Sequence, residues 1–212
     1  MDARTATKPP PEYVRRFSAA EQSLHWLLAL SFFVMLATGL ILYLPSLAEV
    51  AAQRALWKSI HLGSAIGFWV GVLLVWSSAP GELRAARNEI DQFDGDDRAW
   101  LAWAVRRHRN EPPQGRFNAG QKLNTALVAG LMVVFTITGV LIYLQEVDAR
   151  FRGTSAILIH DVAMYIAVPL VIGHLYLALL NPSTRHSLRG MTLGTVRRDW
   201  ARRHHAKWER EL

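Results

Sequence analysis

Four apolar runs dominate the chain: Leu24–Leu44, Ile60–Trp76, Leu123–Leu144 and Ala156–Leu180. Each is apolar around its whole circumference and lacks the polar stripe of a helix packed in a soluble bundle. Crossing roughly 30 Å of hydrocarbon takes about 20 residues of helix. The second run reaches that length when it is extended back through Leu56. The pattern predicts spans at 24–44, 56–77, 123–144 and 156–180 in a single all-α membrane domain over 1–212, an integral four-helix bundle. Asp161 is the one formal charge within the four runs. Residues 1–23 are a polar lead-in, and 181–212 are a basic tail that begins at Asn181-Pro182. Two short connections, Ser46–Leu56 and Gln145–Thr154, contrast with the long one, Ala79–Lys122. In the long one, Trp100-Leu101-Ala102-Trp103-Ala104-Val105 before Arg106 and Arg107 reads either as an interfacial helix or as an ordinary soluble one.

Charge orients these spans. Arg4, Lys8, Arg15 and Arg16 precede the first span, and the long connection carries Arg84, Arg87, Arg98, Arg106, Arg107, Arg109, Arg116 and Lys122. The tail adds Arg185, Arg189, Arg197, Arg198, Arg202, Arg203, Lys207 and Arg210. The two short connections hold only Arg54, Lys58, Arg150 and Arg152. The positive-inside rule therefore predicts that both termini are cytoplasmic, in a multi-pass protein of the bacterial inner membrane. Topology accounts for the net charge of +7, so nucleic acid is not an expected partner. No cleavable signal peptide is expected ahead of the first span. The chain has no cysteine, so it offers no thiolates to an iron–sulfur cluster and no C-x-x-C-H site for covalent haem. Any haem is b-type, held by axial ligands and packing.

Histidines inside membrane-length segments are costly and point to function. His160 and His174 lie fourteen residues apart on the fourth run. On a helix that is about 21 Å of rise, with the side chains roughly 40° apart around the axis. Topology converts position into depth: His25 lies near the inner face, His61 and His160 near the outer face, and His174 near the inner face. The depth-matched pairs are His61 with His160 and His25 with His174. Haem iron accepts two axial imidazoles; zinc or copper is the alternative, but two-histidine sites without carboxylate or thiolate suit them less well. Gly63, Gly67 and Gly71 recur every four residues on the second span, for close helix packing, for haem accommodation, or both. Asp161 either orients a ligand or propionate or faces outer water. Arg15, Arg16, Arg54 and Lys58 are candidate propionate partners. His108, His186, His204 and His205 lie in charged segments and read as solvated. A weak repeat pairs Thr38-Gly39 through Leu44 with Thr138-Gly139 through Leu144, and Ile60-His61 with Ile159-His160.

These residues carry a resemblance. Leu24-His25-Trp26, Ser59-Ile60-His61, the loop Arg116-Phe117-Asn118-Ala119-Gly120-Gln121-Lys122, Ile157-Leu158-Ile159-His160, Gly173-His174 and the tail Trp200–Trp208 resemble the cytochrome b (gamma) subunit of membrane-bound formate dehydrogenases, over nearly the whole chain. Helices and histidines alone fit the wider di-haem group, including respiratory hydrogenase subunits. The resemblance implies two haem b groups on the four histidines, paired as depth already pairs them. It implies an iron–sulfur partner outside, fed by a molybdenum- or tungsten-containing subunit. It also implies quinone contacts at Asn118, Gly120 and Gln121, beside His174. Asn118 and Gln121 have a second reading as a helix cap before the third span.

Overall fold

The computed structural model describes residues 11–106, 110–151 and 155–212. Arg4, Lys8, Arg107, His108, Arg109 and Arg152, named above, lie outside them. Among the described residues four helices are long and apolar enough to cross a membrane: α1 (Ala19–Tyr43), α3 (Arg54–Ser78), α6 (Ala119–Val147) and the run Ala156–Leu180. The last comprises α7 (Ala156–Leu175) and a π-helical turn, Tyr176–Leu180. Leu73, Leu74 and Leu158 are each more than 60% exposed, a surface that is tolerable only against lipid. Among the described residues the shorter elements are α2 (Pro45–Ala51), α4 (Pro80–Asp91), α5 (Gly95–Arg106), α8 (Leu188–Leu193), α9 (Arg198–His204), α10 (Ala206–Glu209), 3-10 turns at Ala149–Phe151 and Arg185–Ser187, and strands β1 (Tyr13–Arg15) and β2 (Thr195–Arg197).

Helix ends follow local chemistry. Ser18 caps α1: its Oγ accepts from Glu21 N–H at 3.3 Å, and Glu21 Oε2 accepts from Ser18 N–H at 2.8 Å, a reciprocal capping box. Leu44 is extended, as the residue before a proline prefers, so α1 stops and Pro45 opens α2. The long connection holds two helices, α4 and α5, where the sequence pattern indicates only the Trp100–Val105 stretch. Pro169 lies inside α7 between its two histidines, where a proline removes one backbone hydrogen bond and bends the helix.

The described residues belong to two compact units. One comprises Met1–Phe17, Glu89–Ala126 and Ile172–Leu212; the other comprises Ser18–Asn88 and Leu127–Val171. In the second, α1 runs against α3, and Leu27 fills the place a side chain at Gly71 would take, 2.6 Å from its Cβ position. Gly71 therefore serves close packing, whereas Gly63 and Gly67 face open space. Trp69 Nε1 donates to Thr136 Oγ1 at 3.0 Å, Lys58 pairs with Glu146, and Tyr43 and Tyr165 share a hydroxyl hydrogen bond of 2.9 Å.

In the first unit Val196, Trp200, Ala201 and Trp208 of the tail form a core, with Val14 packed against them. β1 and β2 pair antiparallel, with Val14 opposite Val196. Gly194 caps α8 at φ 73°, a left-handed conformation that favours glycine. Its carbonyl accepts from Arg16 N–H at 2.7 Å, which returns the lead-in to the tail. The expectation that His205 is solvated is corrected: it is 1% exposed. His186 and His204 are half-buried rather than free in water. His205 Nδ1–H donates to the Gly115 carbonyl at 2.7 Å, so Nε2 accepts from Arg16 Nη2 at 2.9 Å. Burial, and then the Arg16 guanidinium, hold this imidazole well below the usual histidine range, so it is neutral.

Candidate functional site

His61 stands in the second turn of α3 and His160 in the second turn of α7, both within the second unit. Their ring centroids are 6.3 Å apart with the planes at 59°. Imidazole nitrogens sit about 2 Å from a bound metal and the ring adds roughly 1 Å more, so two rings across one metal have centroids roughly 6 Å apart. The pair expected from depth is thus brought to metal-sharing distance. Each ring has the same support. His61 Nδ1 lies 2.9 Å from Thr38 Oγ1, and His160 Nδ1 lies 2.8 Å from Thr138 Oγ1. Thr38 and Thr138 are buried, and their hydroxyls donate to the Val34 and Val134 carbonyls at 2.8 and 2.7 Å. Small residues adjoin both rings: a Cβ at Gly39 would lie 3.4 Å from His61 Cε1, and one at Gly139 4.0 Å from His160 Cε1. Phe135 stacks edge-on against His160 at 5.0 Å. Among the described residues no group of three or more His, Cys, Asp or Glu side chains gathers as a metal-ion site. Two imidazoles are a donor set that suits haem iron, which brings its own four equatorial nitrogens.

The other expected ligands sit elsewhere. His25 is half-buried in the second turn of α1, edge-on to Trp26 at 5.4 Å, and belongs to the second unit. His174 lies near the end of α7, two residues before the π-helical turn, in the first unit. π turns interrupt helices at functional places more often than elsewhere.

Asn118, Gly120 and Gln121 lie at the start of α6, in the first unit. Asn118 Oδ1 accepts from Gln121 N–H at 2.9 Å, and Gln121 Oε1 accepts from Asn118 N–H at 3.0 Å. The helix-cap reading of these two residues is therefore correct in geometry. Capping occupies the two oxygens, so the amide NH2 groups are what each residue has left to donate. Gly120 packs under Trp100, whose ring lies 3.1 Å from where a Cβ would be. Arg16, proposed from the sequence as a propionate partner, is committed here: Nη2 donates to the Arg116 carbonyl at 2.9 Å and to Gln121 Oε1 at 3.3 Å. Buried Gln114 fixes the same loop, its Oε1 accepting from Ala119 N–H at 2.8 Å.

Residues 16–194 match the family described as prokaryotic cytochrome b561. The chain belongs to that family. A b cytochrome binds non-covalent haem b, and the cysteine-free chain offers no other attachment. Four apolar helices in this family make it an integral protein of the bacterial inner membrane. The chain is similar to the formate dehydrogenase cytochrome b556 subunit of Haemophilus influenzae, 26% identical over 200 residues that cover 88% of this chain and 78% of that protein. It is similar to the nitrate-inducible formate dehydrogenase cytochrome b556 subunit of Escherichia coli K12, 25% identical over 202 residues covering 91% and 88%. A second Escherichia coli K12 formate dehydrogenase cytochrome b556 subunit is 26% identical over 205 residues covering 93% and 92%.

Sequence reading missed Thr38 and Thr138 as partners of the histidines. Their signal was present as the Thr-Gly repeat, which reads as a trace of duplication until the side chains are seen in place. It also missed the Arg16–His205 contact, whose partners are 189 positions apart.

Proposed function

We propose that this chain is the membrane-anchoring cytochrome b subunit of a formate dehydrogenase, carrying electrons from an iron–sulfur partner at the outer face to quinone near the inner face. The observation that carries the reading is the His61–His160 pair, two imidazoles at metal-sharing distance with identically engaged Nδ1 atoms. The names of the relatives supply the choice of formate. His61 and His160 would hold an outer haem b, and His25 and His174, assigned by depth, an inner one; both termini are cytoplasmic. Bound haem supplies one-electron transfer across the apolar spans.

The chain's own residues do the rest. Thr38 and Thr138 orient the outer ligands. Asn118 and Gln121 present amide donors to quinone carbonyls without placing a net charge in the membrane interface, and Gly120 allows close approach of the backbone. Quinone reduction takes up two protons; a cytoplasmic site draws them from inside, while formate oxidation releases protons outside. Charge separation then needs only electrons to cross.

The test is turnover of the native membrane complex with formate or hydrogen as donor and a soluble quinone analogue as acceptor. Formate-dependent quinone reduction, with the quinone KM raised about tenfold by Gln121→Ala, is expected, since one lost hydrogen bond of about 1.4 kcal/mol is a factor of ten. Quinone reduction with hydrogen and none with formate would assign the chain to a hydrogenase.

A further inference from the structure

The Thr-Gly and Ile-His repeats are two halves of one device. The first pair of spans supplies Thr38 and His61, the second pair Thr138 and His160, and each threonine meets the histidine of its own half. In a helix the threonine hydroxyl reaches the carbonyl four residues back, and both do so here, to Val34 and Val134. A hydroxyl has a single hydrogen. Whichever carbonyl takes it, Val34 at 2.8 Å or Met35 at 3.2 Å, the oxygen can then only accept from the ring. With the hydroxyl hydrogen on a carbonyl, Nδ1 of each histidine carries the proton and the lone pair is on Nε2. Thr38 is 3% and Thr138 4% exposed, so water does not compete for these bonds.

We propose that Thr38 and Thr138 are positioning residues of the outer site: their hydroxyls hold His61 and His160 in the Nδ1–H tautomer and set how strongly the two Nε2 atoms donate to a haem iron. The proposal rests on the reading of His61 and His160 as axial ligands. An acceptor on the distal ring nitrogen fixes the tautomer and makes an imidazole a stronger donor. A stronger donor favours the oxidised, more positive iron, so the hydroxyls lower the potential of the outer haem. The inner histidines have no counterpart in the repeat: one hundred residues after His25 stands Thr125, and ninety-nine before His174 stands Val75. Thr38 and Thr138 both adjoin the outer pair, so their effect falls on one haem.

Thr38→Val and Thr138→Val keep the shape and remove the acceptor; Thr38→Ser and Thr138→Ser keep it. Each is made in the full complex, and haem content and midpoint potentials are read by spectroelectrochemical titration in membranes. The expected result is an upward shift of one haem's potential in each valine variant, the same haem in both, with the native value in each serine variant. Loss of that haem in a valine variant with its retention in the serine variant supports the same role. Unchanged potentials in the valine variants, or serine variants as disturbed as the valine ones, would overturn the proposal. His61→Ala and His160→Ala separate the two levels: if these remove different haems the pairing itself is wrong, whereas if they remove the same haem and the valine variants are silent, only the threonine role fails.

Discussion

At the scale of the residue, His205 shows how a polar side chain can be buried deep without charge. Its two nitrogens are both used, one donating to Gly115 and one accepting from Arg16, and only the neutral ring can do both. Protonation would set a cation against Arg16. The folded form therefore holds its proton less tightly than the unfolded chain does, whose imidazole has the ordinary value of 6.5. Below that value the unfolded state gains protons that the folded state refuses, so stability falls as pH drops through about 6.5 and is level above it. Thermal unfolding of detergent-solubilised protein, followed by the fluorescence of Trp200 and Trp208, should show a midpoint that declines from pH 7 to pH 5. His205→Gln should flatten that decline; an equally steep decline in the variant would place its cause elsewhere. Nothing in the sequence near position 205 announces this. His204-His205 stands among arginines and reads as solvent-facing, because its partners Arg16 and Gly115 arrive from distant parts of the chain.

At the scale of the element, α5 and the start of α6 depend on a nearly buried ion pair. Lys122 Nζ lies 2.7 Å from Asp97 Oδ2, with side chains 11% and 3% exposed, and also donates to the Gln92 carbonyl at 2.8 Å. Asp97 Oδ2 also accepts from Asp94 N–H at 3.0 Å, and Asp94 Oδ1 accepts from Asp97 N–H at 3.0 Å, a reciprocal cap at the start of α5. Asp97→Ala leaves an ammonium without its counter-charge and should cost about 3–5 kcal/mol, measured as a lowered denaturation midpoint. A loss below about 1 kcal/mol is what an exposed pair would give, and would mean that α5 docks through its other contacts, Trp100 on Gly120 and Asp96 with Gln114 and Lys207. The four spans were legible from hydrophobicity, and their cores fall where expected. Their ends were not, because hydrophobicity marks the part that meets lipid while a helix starts at its cap. α1 begins after Ser18 and α6 after Asn118, each in polar sequence ahead of the apolar run. α9 and the β1–β2 pair are short and charged, and are held by partners from distant parts of the chain.

At the scale of the whole molecule, four apolar spans, no cysteine and a handful of intramembrane histidines define a b cytochrome, and the family match agrees. Depth counting paired His61 with His160, and the rings are found together, because both stand in the second turn of spans that run in the same direction. What the count could not supply was the second contact of each ring, since a threonine is unremarkable in an apolar helix. The account stands on that outer pair. Its most direct test is the reduced-minus-oxidised visible spectrum and haem stoichiometry of the purified complex in wild type, His61→Ala and His160→Ala. Two low-spin b haems in the wild type, and loss of the same one in either variant, is the expected result; both haems retained in either variant would contradict it.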